Sequence, residues 1–502
     1  MGRHAKVIET DNIDRRELGY YYTPDFVAKY MSHRLLMLHP HGHKVLDPCV
    51  GKEELVEEFL ARDKEVVGID VFQHKETYTC QFIQRDFIAF YEEIKQDGQL
   101  TMDSLLQEGN PEARREYDYI IANPPYNCHE VNYIKNNKAA LKSLFHDVGV
   151  HNMYSMFLSA IIDIAKEGAM IGLITYDSFF TSKAHTDLRK KILKECTIHE
   201  ITMCPTDLFH DQDADVRTSI IFLQKGKQYQ GQVAVSNRPP NRVIFQDQLK
   251  SQLQHGNKKY FELEDIVLTN PNDNDEFIIE CPDDIRVLFS EKRLGELFKC
   301  VTGISTGKDE LYLSKEKKDP FTIPFYKNPG KNRFYTDNQL YLHKDFLRFD
   351  AEIKNFMVRN KSLLFQPGIT CSSMGVAFTA SRLPEHATYG VNANIICEDK
   401  DAWWLLAYLN SDLVTYLVRG IMIRSNMITS GYVSRIPILP MDSAIKATLE
   451  DLAKSAYHKA KENQSFEAEL ENINRVIYEQ AKVRKETIET IKRFNENLIA
   501  NT

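Results

Sequence analysis

Asn123-Pro124-Pro125-Tyr126 is the tetrapeptide of this chain best suited to chemistry on a poor nucleophile. The amino group on a nucleobase is such a nucleophile, because its lone pair is delocalised into the ring. The side-chain oxygen of Asn123 and the carbonyl of Pro124, held as acceptors, would bond both N–H groups and bias the nitrogen toward a tetrahedral, reactive geometry. Two prolines stiffen the turn. Tyr126 offers a flat face to a base turned out of its stack. Methyl transfer to an exocyclic amine is the chemistry this implies, and adenine N6 and cytosine N4 pose it equally.

Three other short segments carry ligand-type residues. Leu46-Asp47-Pro48-Cys49-Val50-Gly51 joins an acid able to bond an amine with a glycine that lets backbone approach a ligand. Asp70-Val71 ends an apolar run 23 residues after Asp47, where an acid suits a ribose hydroxyl. Asp86-Phe87 pairs an acceptor for an adenine amino group with a ring to cover it; on its own, this site reads more readily as a solvated loop acid.

The elements that must hold these residues are visible as alternating patterns. Thr23-Pro24 opens a helix, with Thr as N-cap and Pro at the first helical position, and Phe26 to Leu36 follow helical spacing. Short apolar strands are expected at 44–46, 65–70, 117–122, 170–175, 198–203 and 218–223, with helices at 53–61, 153–165 and 184–193. Such alternation predicts an α/β fold: a doubly wound, mostly parallel sheet that binds its ligands at the carboxyl ends of its strands. The ligand-type segments all fall at those ends.

Taken in order, Gly19-Tyr20-Tyr21-Tyr22-Thr23-Pro24, Asp47-Pro48-x-x-Gly51, Asp70, Asp86-Phe87, Asn123-Pro124-Pro125-Tyr126, Thr175 to Phe180, Asp207-Leu208-Phe209 and Val216 to Ile221 resemble the gamma-class DNA N6-adenine methyltransferases, the TaqI-like group. Leu294 to Leu297, Val301 to Gly307 and Leu405 to Ser411 extend the likeness, more diffusely, toward that family's target-recognition domain. The resemblance implies a Rossmann-like methyltransferase sheet, S-adenosylmethionine as cofactor, no metal, and site-specific methylation of a flipped adenine in double-stranded DNA. A cytoplasmic, nucleoid-associated protein is expected, with a monomer favoured over an oligomer, and with either a cognate restriction endonuclease as partner or an orphan role left open. Tyr22, Thr23, Pro24, Asp47, Pro48, Gly51, Asp70, Val71, Asp86, Phe87 and Asn123 would bind the cofactor. Asn123 and Pro124 would hold the amine, with Pro125 in the same motif, and Tyr126 and Phe209 would stack on the base. Two residues depart from the pattern. Glu53 stands where a second glycine is usual, and its charge would repel the cofactor's carboxylate unless the side chain turns to solvent. Tyr176 stands where a proline is common, which reads as a minor loop difference.

The expected organisation is a methyltransferase domain over 1–250, a connector over 251–284, a mixed α+β target-recognition domain over 285–440 and a C-terminal helical hairpin over 441–502. Net charge is −8, so DNA contact requires a local patch. Residues 285–361 hold 16 Lys or Arg against 10 Asp or Glu, and Lys308, Lys327, Lys331, Arg333 and, further on, Arg424 are the candidate DNA contacts. Gly303 to Lys308 fails as a phosphate loop, because three residues separate its glycines and Asp309 follows the lysine. Nine scattered cysteines without C-x-x-C pairs suggest a reducing cytosol and no structural zinc. Charges inside the most apolar stretch exclude a membrane span there. The rival functions are an N4-cytosine or RNA amino-methyltransferase and a non-catalytic, DNA-binding subunit with a methyltransferase-like fold.

Overall fold

The computed structural model describes residues 21–97, 117–126, 132–212, 216–226, 231–271, 273–337, 339–374, 377–423 and 427–498. The chain divides into two units, Met1–Thr269 with Asn274–Ile279, and Asn270–Asp273 with Glu280–Thr502.

The first unit is built on a nine-stranded sheet. Its strands are β1 (Lys44–Asp47), β2 (Glu65–Asp70), β3 (Gln81–Gln84), β4 (Tyr119–Ala122), β5 (Met170–Tyr176), β6 (Cys196–Met203), β7 (Thr218–Lys225), β8 (Val233–Ser236) and β9 (Lys259–Phe261), in the spatial order 3-2-1-4-5-7-6-8-9. From β3 across to β5 every pairing is parallel, and β7 inserts antiparallel between β5 and β6. Helices α1 (Asp25–Leu38), α2 (Phe87–Asp97), α3 (Met153–Ile164), α4 (Thr186–Glu195) and α5 (Arg242–His255) complete the α/β pattern. The central strands are apolar on both faces: Leu46, Ile69, Ile120, Ile121, Ile171 and Leu173 are fully buried. That burial is the signature of a parallel sheet covered by helices on each side. After β1 the chain steps outward to β2 and β3, then returns to β4 on the other side of β1. The crevice at the carboxyl ends of β1 and β4 is therefore a topological switch point.

Several sequence expectations need correction. Helix α1 starts at Asp25 with Pro24 as N-cap and no side-chain cap bond, because the Thr23 hydroxyl is engaged by Asn123. The helix expected over 53–61 shrinks to Glu57–Leu60, because Gly51 and Glu53 both adopt left-handed backbone, with φ of 53° and 75°. The connector expected over 251–284 is not free chain. Helix α5 crosses residue 250, β9 closes the sheet, and buried Phe277 packs on Phe180 at 5.5 Å. Its polar composition conceals apolar anchors at Ile266, Val267, Phe277 and Ile279.

The second unit has two four-stranded sheets, one of Lys299–Val301, Asn394–Ile396, Gly368–Cys371 and Ala380–Leu383, the other of Leu313–Ser314, Gln339–His343, Phe321–Tyr326 and Thr388–Tyr389. The segment expected to be a helical hairpin forms three helices, Ser443–Lys461, Glu467–Gln480 and Lys485–Glu496. The second break has no Gly or Pro; Lys482 makes it by taking φ of 53°. Among the described residues no helix is long and apolar enough to cross a membrane.

Candidate active site

Asn123 leaves the end of β4 and its side-chain amide is fully engaged. Its Nδ2 donates to the carbonyl of Tyr21 at 2.8 Å and to Oγ1 of Thr23 at 3.1 Å. A carbonyl can only accept, so this pairing fixes which end of the amide is nitrogen. The oxygen therefore faces the other way, where it accepts from the hydroxyl of Tyr126 at 2.6 Å. Pro124 is buried and Pro125 half-buried.

Tyr126 is 4% exposed and stacks on Tyr176 at 4.6 Å, with Tyr21 at 5.7 Å and Phe209 at 6.3 Å. Phe209 is fully buried and lies 5.6 Å from Tyr21. Burial pushes the Tyr126 phenol well above its ordinary pKa. The two rings expected to offer free faces to a base thus cover one another, together with Tyr21 and Tyr176. Apolar ring faces without a guest are better buried than wet. Tyr176, read as a minor loop difference, is the stacking partner of Tyr126.

Beside this cluster, β1 ends in Asp47, which is 1% exposed. Its Oδ1 accepts from the N–H of Cys49 at 3.0 Å, while its Oδ2 is buried and has no hydrogen-bond partner among the described residues. Burial raises its pKa strongly, and the nearby Asp70 and Glu54 add to the rise. Pro48 is buried behind it. Asp70, at the end of β2, accepts from the N–H groups of Gly51 (3.0 Å) and Phe72 (3.1 Å), and His74 lies 3.4 Å from it. Val71 is exposed next to it. Glu53 points neither at this crevice nor to solvent. It is 5% exposed, ion-pairs with Lys75 and accepts at 2.8 Å from the N–H groups of both Thr79 and Cys80. Burial alone would raise its pKa, but Lys75 and those amides outweigh it and lower it.

Tyr22 is gripped by a residue that the sequence did not flag. Gln212 accepts from the Tyr22 N–H at 2.7 Å and donates to its carbonyl at 2.9 Å. The Lys52 ammonium sits 4.7 Å from the Tyr22 ring centroid. Residues 21–23 therefore form a strap held by Asn123 on one side and Gln212 on the other. Asp86 is not a bare loop acid: its Oδ1 caps α2 at the N–H of Ile88 (2.8 Å), and its Oδ2 accepts from Tyr133 (2.7 Å). Phe87, expected to cover an adenine, is 2% exposed and packs on Phe157 at 5.0 Å in the core, which leaves it little surface to offer. No local pattern marks Gln212 or Tyr133, because each acts on a residue distant in sequence.

The residues present fit S-adenosylmethionine on one observation above the others: the unpartnered buried oxygen of Asp47 needs a donor, and the methionine ammonium is one. Asp70, at the end of the neighbouring strand, would take the ribose. Among the described residues no group of three His, Cys, Asp or Glu could hold a metal ion.

In the second unit the basic candidates separate. Lys308 and Lys331 are exposed. Lys327 is ion-paired with Asp309. Arg333 is half-buried, with its guanidinium 3.4 Å from the Asn410 carbonyl and its pKa lowered by burial. Arg424 lies outside the described residues.

The N-6 DNA Methylase family model matches residues 10–277. The chain belongs to this family. The type II methyltransferase M.BsuBI of Bacillus subtilis is 26% identical over 230 residues, 42% of this chain and 45% of that protein. The methylase subunit of the type I restriction enzyme EcoEI of Escherichia coli is 22% identical over 226 residues, 42% of this chain and 43% of that subunit. The match thus spans less than half the length of these curated relatives. Among solved structures, the type IIL restriction-modification enzyme MmeI in complex with DNA aligns with 98% of this chain and 80% of its own, at a TM-score of 0.55 and 10% identity. The type ISP enzyme LlaGI, as a nuclease-deletion mutant with a DNA substrate mimic, aligns with 88% of this chain and 55% of its own, at a TM-score of 0.55 and 13% identity. At such identities these two share the fold with this chain, and the likeness reaches into the second unit.

Proposed function

We propose that this chain is a site-specific DNA methyltransferase that moves a methyl group from S-adenosylmethionine to N6 of an adenine flipped out of duplex DNA. One observation carries the reading: Asn123, its amide pinned through its nitrogen to residues 21–23, follows the end of β4, the strand paired with β1, which ends in Asp47. The cofactor, when bound, supplies an electrophilic methyl group. Asn123 Oδ1 and the Pro124 carbonyl accept the two N–H groups of the target and so localise its lone pair. Tyr126 and Phe209 exchange their mutual contacts for the face of the base. No general base is required of the protein, since the proton leaves after attack, and positioning supplies most of the rate. Asp47, Asp70, Val71, Gly51 and residues Tyr22, Thr23 and Pro24 hold the cofactor, and Lys308 and Lys331 meet phosphates. The family and the restriction-modification names of its relatives support DNA as the partner. A cognate restriction endonuclease, action as a monomer and a place at the nucleoid belong to the same reading.

Purified protein incubated with duplex DNA and S-adenosylmethionine, followed by mass spectrometry of the digested nucleosides, tests it. N6-methyladenine is expected; N4-methylcytosine, or no methylated base, would overturn it.

A further inference from the structure

The glycine pair set aside as a failed phosphate loop has another use. A Cβ at Gly303 would fall 2.0 Å from the Tyr389 carbonyl oxygen, and Gly307 takes φ of 70°. The two glycines let this loop hug the neighbouring strand and then turn away, which leaves a cavity of about 410 Å³ in the second unit. Asp309, Lys327, Asn328 and Asn392 line it, with Thr306 and the exposed Val391.

The polar groups there are oriented by bonds to the fold. Asn328 Oδ1 accepts from the N–H groups of Gly330 (2.9 Å) and Ser373 (3.4 Å), which among the described residues leaves its NH₂ as a donor to the cavity. Asn392 is the reverse: its Nδ2 donates to Oγ1 of Thr370 (2.7 Å) and the carbonyl of Cys371 (3.0 Å), leaving its oxygen as an acceptor. Thr306 and Lys327 hold one carboxylate oxygen of Asp309 each. The cavity therefore presents a fixed set of donors and acceptors.

Charge indicates what such a set would read. Asp309 and Lys327 neutralise one another, so the pair adds nothing to attraction for the phosphate backbone, and a carboxylate close to phosphates is repelled. Against a base edge the same groups are useful: a carboxylate accepts from a cytosine or adenine amino group, Lys donates to guanine, and an Asn side chain can do either. We infer that this cavity reads base identity in duplex DNA, with Asp309, Lys327 and Asn328 as specificity-determining residues. The inference rests on the reading of the chain as a DNA methyltransferase, and assigns its sequence choice to this place.

The test uses the full chain. Wild-type protein and the Asp309→Asn and Asn328→Ser variants each select duplexes from a random-sequence library, and each is assayed in parallel for methylation. Asn328→Ser breaks no ion pair and carries the same readout should Asp309→Asn fail to fold. The wild type is expected to select one word. Each variant should lose discrimination at one position of it by roughly 5- to 100-fold, with the other positions unchanged. An unchanged word in either folded variant, or no word selected by the wild type, would overturn the inference. A selected word without methylation would instead sink the proposed chemistry and leave this assignment standing.

Discussion

The hydroxyl of Tyr126 donates to the side-chain oxygen of Asn123 at 2.6 Å, the acceptor proposed for the target amine. The oxygen has a second lone pair, so an entering base competes with this bond for the acceptor. That bond has a net value of about 0.5–1.5 kcal/mol. Tyr126→Phe keeps the ring and removes the competitor, so KM for DNA should fall about two- to tenfold with kcat little changed. Tyr126→Ala, which removes the stacking face, should raise KM instead. Steady-state methylation kinetics on one duplex compare the two variants.

Asn123→Ala removes the oriented acceptor. By analogy with other preorganised hydrogen-bonding groups, kcat should fall by about 10²- to 10³-fold while DNA affinity stays within about threefold. Single-turnover assays and filter binding on the same protein separate the two quantities, and undiminished turnover would remove Asn123 from the chemistry.

The sheet and the order of the site segments were legible because each strand is an apolar run that ends in its chemical residue: Leu46 before Asp47, Ile69 before Asp70, Ala122 before Asn123. The engagement of the side chains was not. Thr23 reads locally as a helix cap, yet it bonds a side chain 100 residues away, and Gln212 meets Tyr22 across 190 residues. Tyr126 and Phe209 were recognisable as base-facing rings, but nothing in their neighbours indicates that they close on each other. Arg333 looked like its lysine neighbours because burial of one guanidinium leaves no mark in a charge run.

The proposed contact of Asp47 with the cofactor's ammonium predicts pH-dependent binding. Burial first, then Asp70 and Glu54, raise its folded pKa above the unfolded value of about 4. The folded state therefore binds the proton more tightly than the unfolded state, and stability contributed by this group falls as pH rises from that value through the folded pKa. Lys52 and His74 also act on Glu54, so the local charge is shared. An ammonium partner reverses the trend. The melting-temperature increment given by S-adenosylmethionine should grow as pH rises above the ordinary carboxylate pKa of about 4, and Asp47→Asn should flatten it. An increment that shrinks over this range would contradict the assignment.

Glu53 holds a left-handed backbone, φ 75°, by bonding Lys75 and two amides. Glu53→Ala keeps the strain and leaves buried N–H groups unmet, for a loss of about 1–3 kcal/mol. Glu53→Gly loses the same bonds but relieves the strain, and should be more stable than the alanine variant by about 1 kcal/mol. Urea denaturation of both variants measures the difference.

Lys308→Ala and Lys331→Ala should each reduce the slope of log affinity against log salt by about one. Arg333→Ala should lower the melting temperature and leave the slope unaltered. Titrations of one labelled duplex at several salt concentrations distinguish surface contact from internal brace.

The grip of Gln212 and Asn123 on residues 21–23 also sets the order in which competence arises during synthesis. A ribosome-bound chain that has exposed its Asn-Pro-Pro-Tyr segment, but not yet residue 212 or the strand at 218–225 that pairs beside β5, has the motif without the geometry. The arranged site is therefore a late acquisition of the nascent polypeptide, delayed until the stretch that completes the sheet has emerged.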